Sequence, residues 1–150
     1  MIQKVDVFDA QTCRDLIELH KDYEPGRVGG RVDTRIRSNH VCWIEYDILE
    51  LVPHFPPHDW IANPCQLSRY EAGESHSWHH DVIPNRSSRR LYTLTVTLQP
   101  AEGAHIEINN TVVHLNQGEG VVFDSDLQHR ATAPAHGVRY AFTTWAMLRN

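Results

Sequence analysis

From Cys65 onward the chain breaks into short apolar stretches punctuated by turn residues, and this texture limits the fold more than any other feature of the sequence. Leu91 to Leu98 alternates without a fault. Tyr92, Leu94, Val96 and Leu98 fall on one face of a strand, and Leu91, Thr93, Thr95 and Thr97 on the other. His105 to Ile108, the pair Asn109-Asn110, and Thr111 to Leu115 read as a hairpin. Gln66 to Tyr70, Val121 to Phe123 (preceded by Gly118 and Gly120) and Arg139 to Met147 supply further strands. Strands at this density predict an all-β barrel or sandwich. A jelly roll of eight strands takes about 80 to 90 residues at ordinary strand and turn lengths, and residues 65–147 provide that span.

The first 64 residues read differently, as helix and loop supporting that core within a single domain of 150 residues. Asp9 is placed to cap a helix. Cys13, Leu16, Ile17 and His20 follow at helical spacing to about Tyr23, where Pro25-Gly26 stops it. Gly26 to Ser38 is a loop carrying Gly29-Gly30 and the arginines Arg27, Arg31, Arg35 and Arg37. Val41 to Ile44 is strand-like, and Tyr46 to Val52 is a short helix closed by Pro53. The expected architecture is mainly β: a double-stranded β-helix (jelly roll) with N-terminal helices packed on it.

No apolar run approaches the roughly 20 residues a membrane helix needs. Met1-Ile2-Gln3-Lys4-Val5-Asp6 lacks the charged-then-apolar pattern of a secretion signal, so the expected location is the cytoplasm. Cys13, Cys42 and Cys65 are odd in number and widely spaced, which suits reduced, packed thiols. A net charge of −5 disfavours a nucleic-acid backbone as partner. The unusual count is 11 histidines, and it prompts a search for a metal site.

Trp78-His79-His80-Asp81 contains His-x-Asp. In a chain with 11 histidines, chance alone yields roughly 0.7 such matches, and a second stands at His20-Lys21-Asp22. Geometry separates them. His20 and Asp22 fall at the end of the predicted helix, where residues two apart point in different directions. His79 and Asp81 fall where a strand is expected to begin, and there residues two apart share a side; His80 then points away. A facial triad of two imidazoles and one carboxylate, which leaves the opposite face of an octahedral iron open, needs one more histidine. His129, after Val121-Val122-Phe123 and the turn Asp124-Ser125-Asp126, is the candidate. Arg139 opens a strand with Ala141, Thr143 and Trp145 on its own face. A guanidinium facing inward is costly without an anion, and a dicarboxylate would meet it through two parallel hydrogen bonds.

Taken in order, Tyr70-x-x-Gly73, His79-x-Asp81, His129 and Arg139 resemble the iron(II)- and 2-oxoglutarate-dependent oxygenase superfamily. Within it the likeness is to the prolyl 4-hydroxylase-like branch, whose final barrel strand is similar to Arg139-Tyr140-Ala141-Phe142-Thr143-Thr144-Trp145. Arg37-Ser38 followed by Trp43-Ile44 resembles the region before the barrel in small bacterial members. The resemblance implies iron(II) bound by His79, Asp81 and His129, and 2-oxoglutarate with its distal carboxylate on Arg139. It further implies Tyr70 lining the cofactor pocket, Thr97 helping to hold the distal carboxylate, and Thr143 and Trp145 in the pocket wall. Ascorbate is the accessory reductant it suggests. The reaction implied is hydroxylation of an unactivated carbon by molecular oxygen, with release of succinate and carbon dioxide. Halogenating members lack the carboxylate ligand, so Asp81 favours hydroxylation.

A prolyl residue in a peptide or protein is the substrate expected first, with a free amino acid or other small molecule second. His76 stands where an aromatic residue is common in the family, and its expected place is the surface. The arginine-bearing segments Gly26 to Ser38 and Pro84 to Arg90 read either as lids selecting an acidic partner or as solvated charged surface. The rival from another class is a cupin-like metal-binding protein. Cupins typically offer His-x-His; none occurs here, and Arg139 would be left without a role.

Overall fold

The computed structural model describes residues 1–61, 64–82 and 90–148, so Arg86 and Arg89 of the second arginine-bearing segment lie outside the described residues. The N-terminal part contributes β1 (Ile2–Asp6), α1 (Ala10–Leu19), β2 (Glu24–Pro25), β3 (His40–Ile44) and β4 (Trp60–Ile61). There follow β5 (Cys65–Tyr70), β6 (His76–His79), β7 (Arg90–Gln99), β8 (Ile106–Ile108), β9 (Thr111–Val113), β10 (Glu119–Asp124), β11 (His129–Ala131) and β12 (Arg139–Leu148). Between β5 and β12 the chain passes back and forth between two antiparallel sheets, β5, β7, β10 and β12 in one and β6, β8, β9 and β11 in the other. That winding is the double-stranded β-helix. In the larger sheet the order is β1-β10-β7-β12-β5-β3-β2, with β4 pairing the end of β12; in the smaller it is β6-β11-β8-β9.

The middle of the larger sheet is buried on both faces, which closes β7 to solvent from Thr93 to Leu98. On one face Leu67, Leu94, Val96, Leu98, Val122 and Phe142 pack with Cys13 and Leu16 of α1. On the other, Val121 and Phe123 meet Ile106, Ile108 and Val113 of the smaller sheet. Elsewhere the space between the sheets is an open cavity of about 370 Å³.

Several expectations are corrected. A single α-helix occurs among the described residues, not several. Asp9 caps it, its carboxylate accepting from the Thr12 amide at 2.7 Å, but it ends at Leu19 and not near Tyr23. His20 is already extended (φ −123°, ψ 117°), and Glu24 and Pro25 then pair with Val41 and His40. The helix expected over Tyr46 to Val52 is instead two 3-10 turns, Ile48–Glu50 and Val52–His54. Pro53, lacking an N–H, bars an α-helical continuation. The N-terminal part is also more than helix and loop. β1 pairs β10 and β3 pairs β5, extending the larger sheet on both sides. β1 escapes notice in the sequence because it lies at a sheet edge with only Val5 half-buried, so no alternation marks it. All three cysteines are buried and free, and no described helix is long and apolar enough to cross a membrane.

Candidate metal and cofactor site

β6 runs antiparallel to β11 with His79 opposite His129, and the two rings lie 4.2 Å apart between centroids. Asp81 is held differently from the expectation. His79 ends a strand where one was expected to begin, and Asp81 lies past it, fixed by its amide donating to the Ser125 carbonyl at 2.8 Å. Each imidazole is aimed through its Nδ1: His79 donates to the Ser77 carbonyl at 2.7 Å and His129 to the Leu127 carbonyl at 3.0 Å. A carbonyl only accepts, so both Nε2 atoms turn inward. His79 Nε2 lies 3.5 Å from Asp81 Oδ1 and His129 Nε2 3.5 Å from Oδ2, and the three donor atoms are within 4.8 Å of one another.

Electrostatics agree with the geometry. Burial opposes the charge of Asp81, yet hydrogen bonds from His129 and His79 outweigh it and hold the carboxyl well below its usual range. Burial also opposes a charge on His129, and Asp81 more than compensates, raising that imidazole. The Nε2 atoms that lean on the carboxylate as proton donors are the atoms a divalent cation would occupy in the protons' place. Two imidazole nitrogens and a carboxylate oxygen on one side of a cavity are a donor set that fits ferrous iron. His80 is exposed at the cavity rim. His20 and Asp22 take no part, since the triad is the one such cluster among the described residues.

Sequence reasoning missed how Asp81 is braced. Its Oδ2 accepts from Thr93 Oγ1 at 2.7 Å and from Trp145 Nε1 at 3.2 Å, and Thr93 Oγ1 lies 2.9 Å from Ser125 Oγ. The available signal was the row Thr93, Thr95, Thr97 opposite the apolar Leu94, Val96 and Leu98 of the same strand: hydroxyls buried in a sheet need polar company. Changing Thr93 to Val keeps the shape and removes the donor. Metal affinity should then fall roughly 10- to 100-fold, read by competition with a chromophoric chelator, with far-UV circular dichroism unchanged.

Arg139 opens β12 as expected and is 3% exposed. It donates to Thr97 Oγ1 at 3.5 Å and its guanidinium carbon lies 5.3 Å from the centre of the Tyr70 ring. Burial pushes its pKa down, with Tyr70 pulling the other way. Thr97 and Tyr70 are its partners among the described residues, and neither is a carboxylate. Thr143 pairs with Thr95 Oγ1 at 3.0 Å in the cavity wall. The Trp145 ring carries the Arg90 guanidinium at 3.7 Å and tilts against Trp43 at 6.0 Å.

His76 is not a surface residue. It is half-buried and stacks on His79, with centroids 3.6 Å apart and planes 10° from parallel. Burial first, and His79 next, push its imidazole down to about 2. The cause is the chain at 36–38, which lies along the edge of β6: Ser77 N donates to Ile36 O at 2.8 Å and Ser38 N to Ser75 O at 2.9 Å. That pairing also brings Arg37 opposite His76 and into the cavity lining.

The family model of the 2OG-Fe(II) oxygenase superfamily matches residues 65–147, more than half of the chain. The chain belongs to that superfamily. It is thus an iron(II)- and 2-oxoglutarate-dependent oxygenase, and the donor triad and the buried guanidinium fit that pair of cofactors. No curated protein sequence matches the oxygenase significantly. Its fold is shared with several solved structures. The collagen prolyl hydroxylase of Paramecium Bursaria Chlorella virus-1, as a 2OG complex, superposes with a TM-score of 0.74 at 15% identity, covering 99% of this chain and 96% of that one. A prolyl hydroxylase from Trichoplax adhaerens, bound to a hypoxia inducible factor peptide fragment, gives a TM-score of 0.72 at 21% identity over 97% and 82% of the two chains. The carbocyclase SnoK of nogalamycin biosynthesis gives 0.71 at 14% identity over 98% and 79%.

Proposed function

We propose that this oxygenase hydroxylates an unactivated carbon, in the first instance on a prolyl residue of a peptide or protein. In this reading His79, Asp81 and His129 hold iron(II), while Arg139, with Thr97 and Tyr70, receives the distal carboxylate of 2-oxoglutarate. One observation carries it: a converging set of two Nε2 atoms and a carboxylate shares a cavity with a buried guanidinium that has no carboxylate partner among the described residues. Bound together, iron(II) and 2-oxoglutarate would supply the electrons that activate molecular oxygen, the keto acid being oxidised to succinate and carbon dioxide.

The chain's own residues hold and orient. Ser77 and Leu127 carbonyls fix the two imidazoles, and Thr93 and Trp145 fix the carboxylate. Phe123, edge-on to His129 at 4.8 Å, keeps that side of the site apolar. The prolyl assignment is supported by the likeness of the final strand and by the shared fold with prolyl hydroxylases. The second reading, a free amino acid or other small molecule, is supported by the same fold in a carbocyclase. We also take residues 1–150 as one domain, because β1 and β3 complete the larger sheet. A cytoplasmic location suits three free thiols.

The test is succinate release across proline-containing peptides, free amino acids and nucleotides, with iron(II) and 2-oxoglutarate supplied. Turnover confined to the peptides is the expected result. Turnover with a free amino acid alone would overturn the prolyl assignment and leave the oxygenase chemistry standing.

A further inference from the structure

We infer that the prime substrate carries a carboxylate and that Arg37 receives it inside the cavity. This rests on the oxygenase reading above and deepens it.

The cavity lining is unbalanced in charge. Among the described residues Arg27, Arg37, Arg90 and Arg139 contribute to it, against a single carboxylate, Asp81. A divalent metal, Asp81, Arg139 and dianionic 2-oxoglutarate together carry no net charge. That accounts for one guanidinium and leaves three, of which Arg37 is hydrogen-bonded to no carboxylate among the described residues.

Arg37 is held by oxygens that are all neutral. Its Nε donates to Asn39 Oδ1 at 2.8 Å, one terminal nitrogen to the Arg27 carbonyl at 3.2 Å and the other to Gln66 Oε1 at 3.1 Å. A guanidinium has five N–H donors, so two remain for an incoming group. Burial pushes Arg37 down from its ordinary range, with Tyr70 and Asp81 pulling the other way, and none of its hydrogen-bond acceptors among the described residues is a carboxylate. Amide acceptors orient the guanidinium without neutralising it.

The backbone is shaped around this side chain. A Cβ on Gly26 would lie 2.5 Å from both Arg37 Nε and Asn39 Oδ1, so only glycine lets the chain pass there. The Gly26 amide donates to the Asn39 carbonyl at 2.9 Å, and the 36–38 segment is fastened to β6. Arg37 therefore stands in a built position next to His76 and on the same cavity as the triad. The carboxylate that fits is either an acidic side chain beside the reacting residue of a peptide or the terminal carboxylate of a free amino acid.

Probe pairs that differ by one carboxylate separate these sources. N-acetyl-Pro-Glu-amide is paired with N-acetyl-Pro-Gln-amide, and free proline and leucine are paired with their amides. Each is titrated into protein loaded with zinc(II) and 2-oxoglutarate, following the tryptophan fluorescence of the wall formed by Trp43 and Trp145. In at least one pair the charged member should bind about tenfold tighter. Arg37→Gln should bring that preference to about unity.

Asn39→Asp provides a second variant that keeps the arginine. It is isosteric, discards an Nδ2 donor that is buried without an acceptor, and sets a carboxylate against Arg37 Nε; the preference should vanish here as well. In both variants the affinity for 2-oxoglutarate, read anaerobically from the visible charge-transfer band of iron(II) with 2-oxoglutarate, should stay within about twofold of the parent. The inference is overturned if no charged probe is preferred, if the preference survives both substitutions, or if Arg37→Gln weakens 2-oxoglutarate as much as it weakens the probe. Absence of the band in the parent protein would instead remove the oxygenase reading on which the inference rests.

Discussion

Replacing His129 with alanine leaves a folded protein that no longer retains iron or develops the charge-transfer band with 2-oxoglutarate. Changing a hydrogen-bonding partner of a metal ligand costs roughly 10- to 100-fold in affinity, and deleting one of the three proposed ligands should exceed that. The loss should be specific to the site. His129 lines the cavity beside His79 and Asp81, so the shortened side chain enlarges an existing space and does not open a new hole in the core. His80→Ala is the matched control: its side chain is exposed and belongs to no donor cluster among the described residues, so iron and band should persist. Titration with iron(II) and 2-oxoglutarate under anaerobic conditions reads both variants. A normal band in the His129 variant would end the assignment of that residue.

Substituting Arg139 by methionine should act in opposite directions on cofactor affinity and on the stability of the cofactor-free protein. Removing one side of a buried charge pair costs about 2–5 kcal/mol, which is a loss of roughly 30- to 4,000-fold in 2-oxoglutarate affinity. Without the cofactor, however, Arg139 is a guanidinium 3% exposed whose described partners are a threonine and a tyrosine. An apolar side chain of similar length avoids that desolvation, so the thermal midpoint of the cofactor-free variant should rise. The parent should gain stability on adding 2-oxoglutarate, by linkage to binding, and the variant should not. Arg139→Lys keeps the charge but gives up the two parallel hydrogen bonds, and should fall between them. Unchanged 2-oxoglutarate affinity in the methionine variant would mean that the anion binds elsewhere.

The parts of this molecule visible in its sequence are those where one physical rule acts alone. Alternation over Leu91 to Leu98 marks β7 because the strand divides a hydroxyl face from an apolar one. His79, Asp81, His129 and Arg139 stand out because imidazole, carboxylate and guanidinium turned inward are costly unless they share a task, and the structure brings them to one cavity. What stayed hidden depends on neighbours distant in the chain. Ser125 joins Thr93 only because β10 and β7 are adjacent. His76 leaves the surface only because residues 36–38 cover the edge of β6. Arg37 resembled its exposed neighbours Arg31 and Arg35 until that same pairing turned it inward. No local pattern encodes a strand such as β1, whose side chains are almost all in water.

β12, the last strand in the chain, is an inner strand of the larger sheet, flanked by β7 on one side and β5 on the other. Until it docks, those two flanks present rows of unsatisfied amides and carbonyls to any other strand in reach. Its arrival requires loop closures between remote parts of the chain, which places folding on the slow, millisecond-to-second side of the range for single domains. Arg139, Thr143 and Trp145 enter with it, so the ligand chamber and the completed sheet form in one event. Chains caught before that step are both inert and prone to self-association.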